Sequence, residues 1–451
     1  MPYEGEFAGY RPLQRIVETE RVQQLLRKSR VCTPQAPSSC RLEPKTAPGS
    51  AGHLPAFVVA IDGSNAEVNV KNGYPGAKVG YCTVASVLLN VKEMDRLDEK
   101  RPVDPKEFRK TEDASTIDAA FPGSNVVTRN NTCARDSFRE ALFEIFGDIV
   151  VDEDDKASLL DTYEALLSRK PQTAGGQLCP YDYLGCQQHL KVAAGVSSCA
   201  CSLKKPIYST DALRIHERFH DFGTNGEAHG EVMQVWERIL LVHLLRGFER
   251  RGLLSHMAKI AFVVDGPLAV FGHPAWLSAA IKAELKRINQ IVRTESGTDL
   301  LLLGIEKTGT FVMHFDEIDT TEKPGELLFD PRSYMLLTDA YIKERVIFSD
   351  SPKRYGEDTY FGRKFFYKSA SGSRIVATLP YLDDVQDTLA TDDIAQYPQF
   401  GLLCALLDKL ASSRYPNSLS PLISAHSQAA IPLHLGTKVL EQLARVLIKQ
   451  D

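Results

Sequence analysis

The chain has 451 residues, of which 43% are hydrophobic and 25% charged, and its formal net charge is −5. This composition is ordinary for a soluble protein, and the length predicts two or three domains or one elaborated α/β domain. The negative charge excludes a globally basic surface for nucleic acid but allows a local basic channel or metal-mediated phosphate contacts. No apolar run approaches a membrane span, and the N-terminus lacks a signal-peptide pattern. The chain has nine cysteines, an odd number, and they are unevenly distributed. Together these features predict a cytoplasmic protein with reduced thiols and no membrane association.

Residues 1–53 form the first predicted domain. Apolar residues recur at helical spacing over 9–29, between arginines and glutamates, and predict an amphipathic helix. Residues 33–53 are rich in proline, serine and alanine, which predicts an extended linker.

Two apolar runs end in the same way. The run 57–62 ends at Asp62 and the run 260–265 ends at Asp265, and a glycine follows each aspartate. Each run predicts a buried strand, although Asp-Gly after an apolar run is also a common turn signal and a single copy would predict only a turn. Two such strand ends side by side would bring two carboxylates to the place where the core meets a cleft. The pair therefore predicts a site for a divalent metal.

The rest of the chain alternates helices and strands. Strands over 67–70 and 79–89 are predicted as antiparallel neighbours, whereas 93–131 is charged, broken by prolines and poor in apolar residues. The alternation predicts an α/β fold in which 54–92 and 206–451 form the core and 93–205 is an insertion. The remaining predicted helices cover 134–146, 157–168, 212–219 (with 209–211 as its N-cap), 226–251, 274–292, 401–413, 419–428 and 436–449. The remaining predicted strands cover 300–305, 311–315, 345–348, 361–367 and 374–379.

The long helix predicted before the second aspartate strand carries Glu231 and Glu237 among its residues. If this helix packs antiparallel to the strand, rises of about 1.5 Å per helix residue and about 3.3 Å per strand residue place Glu237 level with Asp265. Glu231 then lies nearly two turns away. Glu237 is therefore the candidate third carboxylate and Glu231 the runner-up; the alternative is that both face solvent.

Four of the nine cysteines lie close together, at Cys179, Cys186, Cys199 and Cys201. Four thiolates in a short, loop-rich segment suit tetrahedral zinc, although the spacing departs from the usual pair of Cys-x2-Cys knuckles. We predict structural zinc here, with His189 as a replacement for one ligand; unliganded cysteines are the alternative. Four cysteine ligands would leave no open position for catalysis.

Three basic residues are candidate contacts for phosphate groups of a nucleic acid. Lys307 follows the strand over 300–305, and Arg363 and Lys364 lie in the strand over 361–367; ordinary surface charge is the alternative for each. His426, beside metal-binding carboxylates, would bind metal or transfer protons, and its alternative is a structural role. No Walker-type phosphate loop is present, so ATP hydrolysis by this chain is not expected.

Four short motifs in this order resemble the NurA family, the nucleases that partner the HerA hexameric ATPase. The resemblance extends from about residue 54 to residue 431. The motifs are Ile61-Asp-Gly-Ser64, Val264-Asp-Gly-Pro-Leu268, Gly304-Ile-Glu-Lys307, and Tyr415-Pro416 with Ala425-His426.

The resemblance implies an RNase H-like, Piwi-like mixed sheet flanked by helices, with manganese- or magnesium-dependent cleavage of DNA by a homodimer beneath a HerA ring. It implies that Asp62 and Asp265 bind the metal, that His426 is catalytic or binds metal, and that Tyr415 lies near the site; Glu237 is matched on geometry alone. The insertion over 93–205 resembles longer bacterial homologues, some of which act in defence against phage rather than in DNA end processing.

Two other functions remain open on the residues alone. A nuclease-like scaffold without catalysis would keep its function when Asp62 is replaced by alanine, whereas a nuclease would lose cleavage. A zinc-stapled nucleic-acid-binding module would bind DNA without magnesium or manganese and would fail when Cys199 or Cys201 is replaced.

Overall fold

A computed structural model of the chain describes residues 10–30, 43–50, 52–94, 112–151, 155–171, 176–320, 327–386, 389–412, 418–432 and 435–448. The chain divides into two compact units, Met1–Arg41 and Leu42–Asp451. The smaller unit contains helices α1 (Arg11–Glu18) and α2 (Glu20–Lys28). The single helix predicted over 9–29 is thus divided at Thr19, whose backbone is extended with ψ 115°. Of the predicted linker, 33–42 and residue 51 lie outside the described residues.

A nine-stranded mixed sheet organises the larger unit. Its order is β1-β11-β12-β13-β10-β9-β2-β3-β4, and two small two-stranded sheets pair β5 with β6 and β7 with β8. The strands are β1 (Lys45–Thr46), β2 (Phe57–Lys71), β3 (Ala77–Asn90), β4 (Glu112–Pro122), β5 (Gln177–Leu178), β6 (His189–Leu190), β7 (Val196–Ser198), β8 (Pro206–Tyr208), β9 (Ile260–Asp265), β10 (Leu301–Glu306), β11 (Ser333–Leu336), β12 (Gly362–Lys368) and β13 (Arg374–Pro380).

The parallel centre of the sheet places the two aspartates. Strand β9 runs parallel to both β2 and β10, and the β2–β9 pairing ends at Ile61 opposite Val264. The next residues, Asp62 and Asp265, therefore lie at one edge of this parallel part. The prediction that the first strand ends at Asp62 is wrong, because β2 continues to Lys71 in an antiparallel ladder with β3. The predicted strand over 67–70 is the second half of β2, and its antiparallel pairing with β3 is confirmed.

Strand β4 was not predicted, because its segment lies in the charged region assigned to the insertion. It pairs antiparallel with β3 along its whole length and forms one edge of the main sheet. Most of its described side chains from Asp113 to Ala120 are exposed, so the sequence shows little of the apolar alternation that marks a half-buried strand. Part of the predicted insertion is therefore built into the core sheet.

Helices cover both faces of this sheet. Two large apolar clusters pack on its opposite sides: one includes side chains of α4 to α7, and the other includes side chains of α10 and α11. The mixed sheet flanked by helices confirms the predicted α/β class, whereas the narrower RNase H-like expectation stays a prediction. The helices are α3 (Val91–Met94), α4 (Ala134–Asp148), α5 (Leu159–Leu167), α6 (Gly226–Arg250), α7 (Leu277–Ser296), α8 (Thr310–Ile318), α9 (Asp339–Tyr341), α10 (Phe400–Leu410), α11 (Ser420–Ala429) and α12 (Leu435–Leu447).

Three predicted elements differ in the structure. The strand predicted over 311–315 is helix α8, in which Phe311 and Phe315 are one turn apart and both buried, so the short apolar pattern fitted either element. The strand predicted over 345–348 is absent, and its start lies in a π-helical turn, Ile342–Val346. The helix predicted over 212–219 is replaced by two short 3-10 helices, Ser209–Leu213 and Ile215–Arg218. Among the described residues, no helix is both long and apolar enough to cross a membrane.

Candidate metal centre and active site

Asp62 and Asp265 converge on one ammonium group. The Nζ atom of Lys307, just past the end of β10, lies 3.1 Å from Asp62 Oδ2 and 2.9 Å from Asp265 Oδ1. Asp62 is 1% exposed. The pairing of β2, β9 and β10 side by side brings these three residues together across more than two hundred positions of sequence.

Glu237 adds a third carboxylate from helix α6, which packs across β2. It is 5% exposed and accepts a hydrogen bond from the backbone N–H of Gly63. Gly63 is needed for this close approach, because a Cβ atom there would lie 2.8 Å from Glu237 Oε1 and 2.9 Å from Met233 Cγ. Helix α6 thus places Glu237 against Gly63 of β2, the residue after Asp62, whereas its predicted position level with Asp265 on β9 stays a prediction.

His426 reaches the same place from helix α11 on the other face of the sheet. Its Nδ1 atom lies 3.2 Å from Asp62 Oδ2, and its side chain is 60% exposed. Just past α11, the backbone N–H of Ile431 donates to Ser64 Oγ at 3.4 Å, which ties the helix end to β2 beside Asp62. An exposed imidazole next to a buried carboxylate is placed to meet a substrate.

The turn after β9 depends on two glycines. Gly266 has a φ of +74°, and its N–H donates to the Ile305 carbonyl at 2.8 Å. Gly304 lies under this turn, where a Cβ atom would come 2.7 Å from the Gly266 carbonyl oxygen. Gly266 and Gly304, one from each motif, thus allow the turn after β9 to lie directly against β10 beside Asp265.

The electrostatics of the cluster favour an added cation. Burial, then the charge of Asp265, raises the pKa of Asp62, against the lowering effects of Lys307 and His426. Burial also raises the pKa of Glu237 to about 8, with Asp62 and Asp265 adding to the rise and Arg238 opposing it. Burial lowers the pKa of Lys307, but the two aspartates outweigh it and the net shift is upward. Carboxylates crowded in a poorly solvated place hold protons until positive charge compensates them.

The types of donor atom suit a hard divalent cation, although the carboxylate oxygens of Asp62, Asp265 and Glu237 do not all lie within 4.8 Å of one another. Oxygen ligands are those that Mg²⁺ and Mn²⁺ prefer, and the Lys307 ammonium occupies the cation position between the two aspartates. Asp265 Oδ1 is buried and accepts no hydrogen bond of good geometry from the described residues, although Lys307 Nζ is near it. Its partner is the Lys307 ammonium at 2.9 Å, a positive charge whose place a bound metal ion would take.

The other predicted site residues lie elsewhere. Glu231, the runner-up glutamate, pairs with Arg218 at 2.5 Å. Arg363 is 1% exposed and donates to the carbonyls of Leu337 and Thr391, so it holds the fold together away from the cluster. Lys364 is 2% exposed, pairs with Glu306 and lies 4.0 Å from the ring centroid of Phe311. Neither basic side chain is available at the surface for DNA. Tyr415 lies outside the described residues.

One residue at the site was not predicted. Arg238 is 3% exposed and contacts both Glu237 and the turn after Asp265. The rise per residue of helix and strand pointed to its neighbour Glu237. An arginine within a helix, by contrast, carries no sequence signal for a role in a site.

The predicted zinc ligands form a second, separate cluster. The thiols of Cys179, Cys186 and Cys199 are buried and lie within 4.8 Å of one another, with Sγ atoms 3.3 Å apart for Cys179–Cys199 and 3.6 Å apart for Cys186–Cys199. Cys201 joins through its N–H, which donates to Cys199 Sγ at 3.4 Å. His189 is exposed and is not part of the three-thiol group. The group therefore has the donors of a metal site.

Comparisons with known proteins point to one family. A family model described as the NurA domain matches residues 58–431. No curated protein matches the chain. Two solved structures are similar at 10% identity: the NurA nuclease from Sulfolobus solfataricus, with a TM-score of 0.34 over 90% of this chain and 87% of that one, and a second NurA structure, with a TM-score of 0.29 over 98% and 99%. Because both TM-scores are below 0.5, the family assignment rests on the sequence model.

Proposed function

We propose, from the premise that this chain belongs to the NurA family, that it is a metal-dependent nuclease that hydrolyses phosphodiester bonds of DNA. The observation that carries the proposal is the convergence of Asp62, Asp265 and Glu237, with Lys307 and His426 beside them. Burying carboxylates costs desolvation free energy, so such a cluster next to a lysine and an exposed imidazole is not expected to be present for stability alone. It matches the needs of phosphodiester hydrolysis.

Asp62, Asp265 and Glu237 would hold Mn²⁺ or Mg²⁺. When bound, such an ion polarises the phosphate and activates a water molecule. Lys307 contacts both aspartates and would, with a metal ion held by them, supply a positive charge for a phosphate oxygen. His426 is exposed and near Asp62, so it is positioned to transfer a proton to or from an oxygen of the reacting phosphate. Asp62 orients the imidazole through its contact with Nδ1.

The partners are proposed from family membership. We expect this chain to act as a homodimer with a HerA-type hexameric ATPase that delivers DNA, in DNA end processing or in defence against phage. The net charge of −5 supports dependence on a translocase, because the chain lacks the overall positive charge that would hold DNA by itself. The cytoplasmic location stays a prediction.

The cysteine cluster is proposed to hold structural Zn²⁺ through Cys179, Cys186, Cys199 and Cys201. Zn–S bonds of about 2.3 Å separate tetrahedral thiolates by about 3.8 Å, close to the observed sulfur spacings. Burial raises the pKa of Cys199 to about 12, so thiolates at this depth need a metal to be stable. A set of four sulfur ligands supports a closed, structural role.

Cleavage of labelled DNA tests the nuclease proposal. End-labelled linear duplex and single-stranded DNA are incubated with Mn²⁺ and the wild type or Asp265→Ala, each with and without a HerA-type ATPase. We expect cleavage that needs both Mn²⁺ and Asp265 and that rises when the ATPase is present. Metal-dependent cleavage that is unchanged in the variant would overturn the site, and folded protein without cleavage in any condition would favour the scaffold.

A further inference from the structure

We infer that Arg238 is a positioning residue that holds Glu237 and Asp265 in the geometry of one metal centre. The inference rests on the proposed function, because it concerns the same carboxylates. It adds a residue that no motif of the sequence singles out.

Arg238 is almost fully buried between helix α6 and the turn after β9. Its Nη2 atom donates to the carbonyls of Asp265 at 2.8 Å and Pro267 at 3.1 Å, and its Nε atom donates to the Ala269 carbonyl at 3.2 Å. Its Nη1 atom donates to Glu237 Oε2 at 3.2 Å. One guanidinium group thus joins three backbone carbonyls of the turn to a carboxylate of the site.

These contacts connect two elements that carry metal ligands. Glu237 lies on α6 and Asp265 ends β9; farther from the aspartate, the Phe271 N–H also donates to Gln234 Oε1 of α6 at 2.8 Å. The planar fork of an arginine fixes direction as well as distance, which the single ammonium of a lysine does not. Gly266 in this turn has a φ of +74°, and a Cβ atom there would lie 3.3 Å from Arg238 Nη2, so the guanidinium packs directly against the turn.

The location argues for a role in the site and against a general structural role. Arg246, two turns later on the same helix, makes an ordinary ion pair with Glu284 at 2.7 Å on the flank of α7. Arg238 instead donates one hydrogen bond to Glu237 and three to carbonyls of the turn that begins at Asp265. Partners of metal ligands typically change metal affinity or activity by about 10–100-fold when they are replaced.

The test compares Arg238→Lys and Arg238→Gln with Arg246→Lys and Arg246→Gln in the full chain. Calorimetry gives the dissociation constant for Mn²⁺, cleavage gives the Mn²⁺ concentration for half-maximal activity, and circular dichroism gives the melting temperature. The lysine variant keeps the charge and the buried stem, and so keeps the test informative if the glutamine variant does not fold.

We expect both Arg238 variants to bind Mn²⁺ about 10–100-fold more weakly, with the lysine variant failing to rescue affinity. The Arg246 variants should keep Mn²⁺ affinity within about twofold, since the loss of an ion pair with Glu284 does not move ligands of the site. Folded Arg238 variants that bind Mn²⁺ as the wild type does would overturn the inference and leave the nuclease proposal intact. A wild type that binds no Mn²⁺ would overturn both.

Discussion

The carboxylate cluster and the cysteine cluster are two donor sets built in opposite ways. The carboxylates come from β2, α6 and β9, with Lys307 after β10 and His426 on α11, so five separated segments meet at one edge of the sheet. The cysteines come from one short stretch between Cys179 and Cys201. The first depends on the topology of the whole sheet, whereas the second depends on local turns.

The difference has a consequence for energetics. Crowded carboxylates oppose folding until a cation arrives, and the raised pKa of Glu237 reports that opposition. Burial raises the pKa of the Cys179 and Cys199 thiols, and zinc binding would contribute to the stability of the segment. Removing metal from the carboxylate cluster should therefore abolish activity while the fold survives. Removing metal from the cysteine cluster should lower the melting temperature, while the molecules that stay folded remain active.

The largest expected effect comes from replacing Glu237 on α6. Glu237→Gln should reduce cleavage by about 10³-fold or more, because the loss of a metal ligand removes several kcal/mol of transition-state stabilisation. Glu231→Gln is the matched control on the same helix, where Glu231 pairs with Arg218. Rates are measured at saturating Mn²⁺. An inactive Glu231 variant together with an active Glu237 variant would reverse our assignment of the third carboxylate.

Cysteine substitution tests the other side of the comparison. Cys199→Ser should lose zinc, measured by elemental analysis of the purified protein, and should lower the melting temperature through loss of the metal's contribution to folding. Cleavage per folded molecule should remain, because the cluster lies in a different segment from the carboxylates. Cys133→Ser, outside the three-thiol group, should keep its zinc. A zinc-free wild type would leave the cysteines as unliganded core residues.

Gly63→Ala tests the close approach of α6 to β2. The added Cβ would lie 2.8 Å from Glu237 Oε1, so the glutamate must shift away from the cluster. We expect about tenfold weaker Mn²⁺ binding by calorimetry, in the range for displaced ligand geometry. Gly147→Ala, where a Cβ would meet Leu160 at an ordinary 3.7 Å, is the control. Equal Mn²⁺ affinity in the two variants would contradict the packing that places Glu237.

The smallest expected effect is a pH dependence of stability. Burial raises the pKa of Glu237 from 4.5 to about 8. Between these values the folded protein holds a proton that the unfolded chain has released, so this group's contribution to stability falls as the pH rises from about 5 to about 8. Glu237→Gln lacks this dependence. In metal-free protein, the melting temperature of Glu237→Gln should therefore rise relative to that of the wild type across that window by a few degrees, at about 1 °C per kcal/mol for a chain of this length. A constant difference from pH 5 to pH 8 would argue against a protonated Glu237.

The features that could be predicted from the sequence are those that depend on a local pattern of residues. The paired aspartates, the long helix α6 and the cysteine segment are all visible as runs or spacings, and the helix rise favoured Glu237 over Glu231, a choice that stays a prediction. Edge strand β4 and helix α8 were missed, because an exposed edge strand shows little apolar alternation and two phenylalanines four apart fit either element. The roles of Arg238 and Gly63 follow only from the packing. Arg238 donates to the Asp265 carbonyl, and Gly63, which has no side chain, leaves room for the Glu237 carboxylate. Arg363 and Lys364 looked like surface charge in the sequence and are buried in the fold.

Direct binding of Mn²⁺ tests the central claim that the three carboxylates form a metal centre distinct from the cysteine cluster. The number and affinity of bound Mn²⁺ ions are measured by electron paramagnetic resonance for the wild type, Asp62→Asn and Cys199→Ser, after zinc content has been recorded. We predict Mn²⁺ binding in the wild type and in folded Cys199→Ser, and its loss in Asp62→Asn with zinc retained. Mn²⁺ binding that persists unchanged in Asp62→Asn, or that disappears with Cys199, would contradict the account.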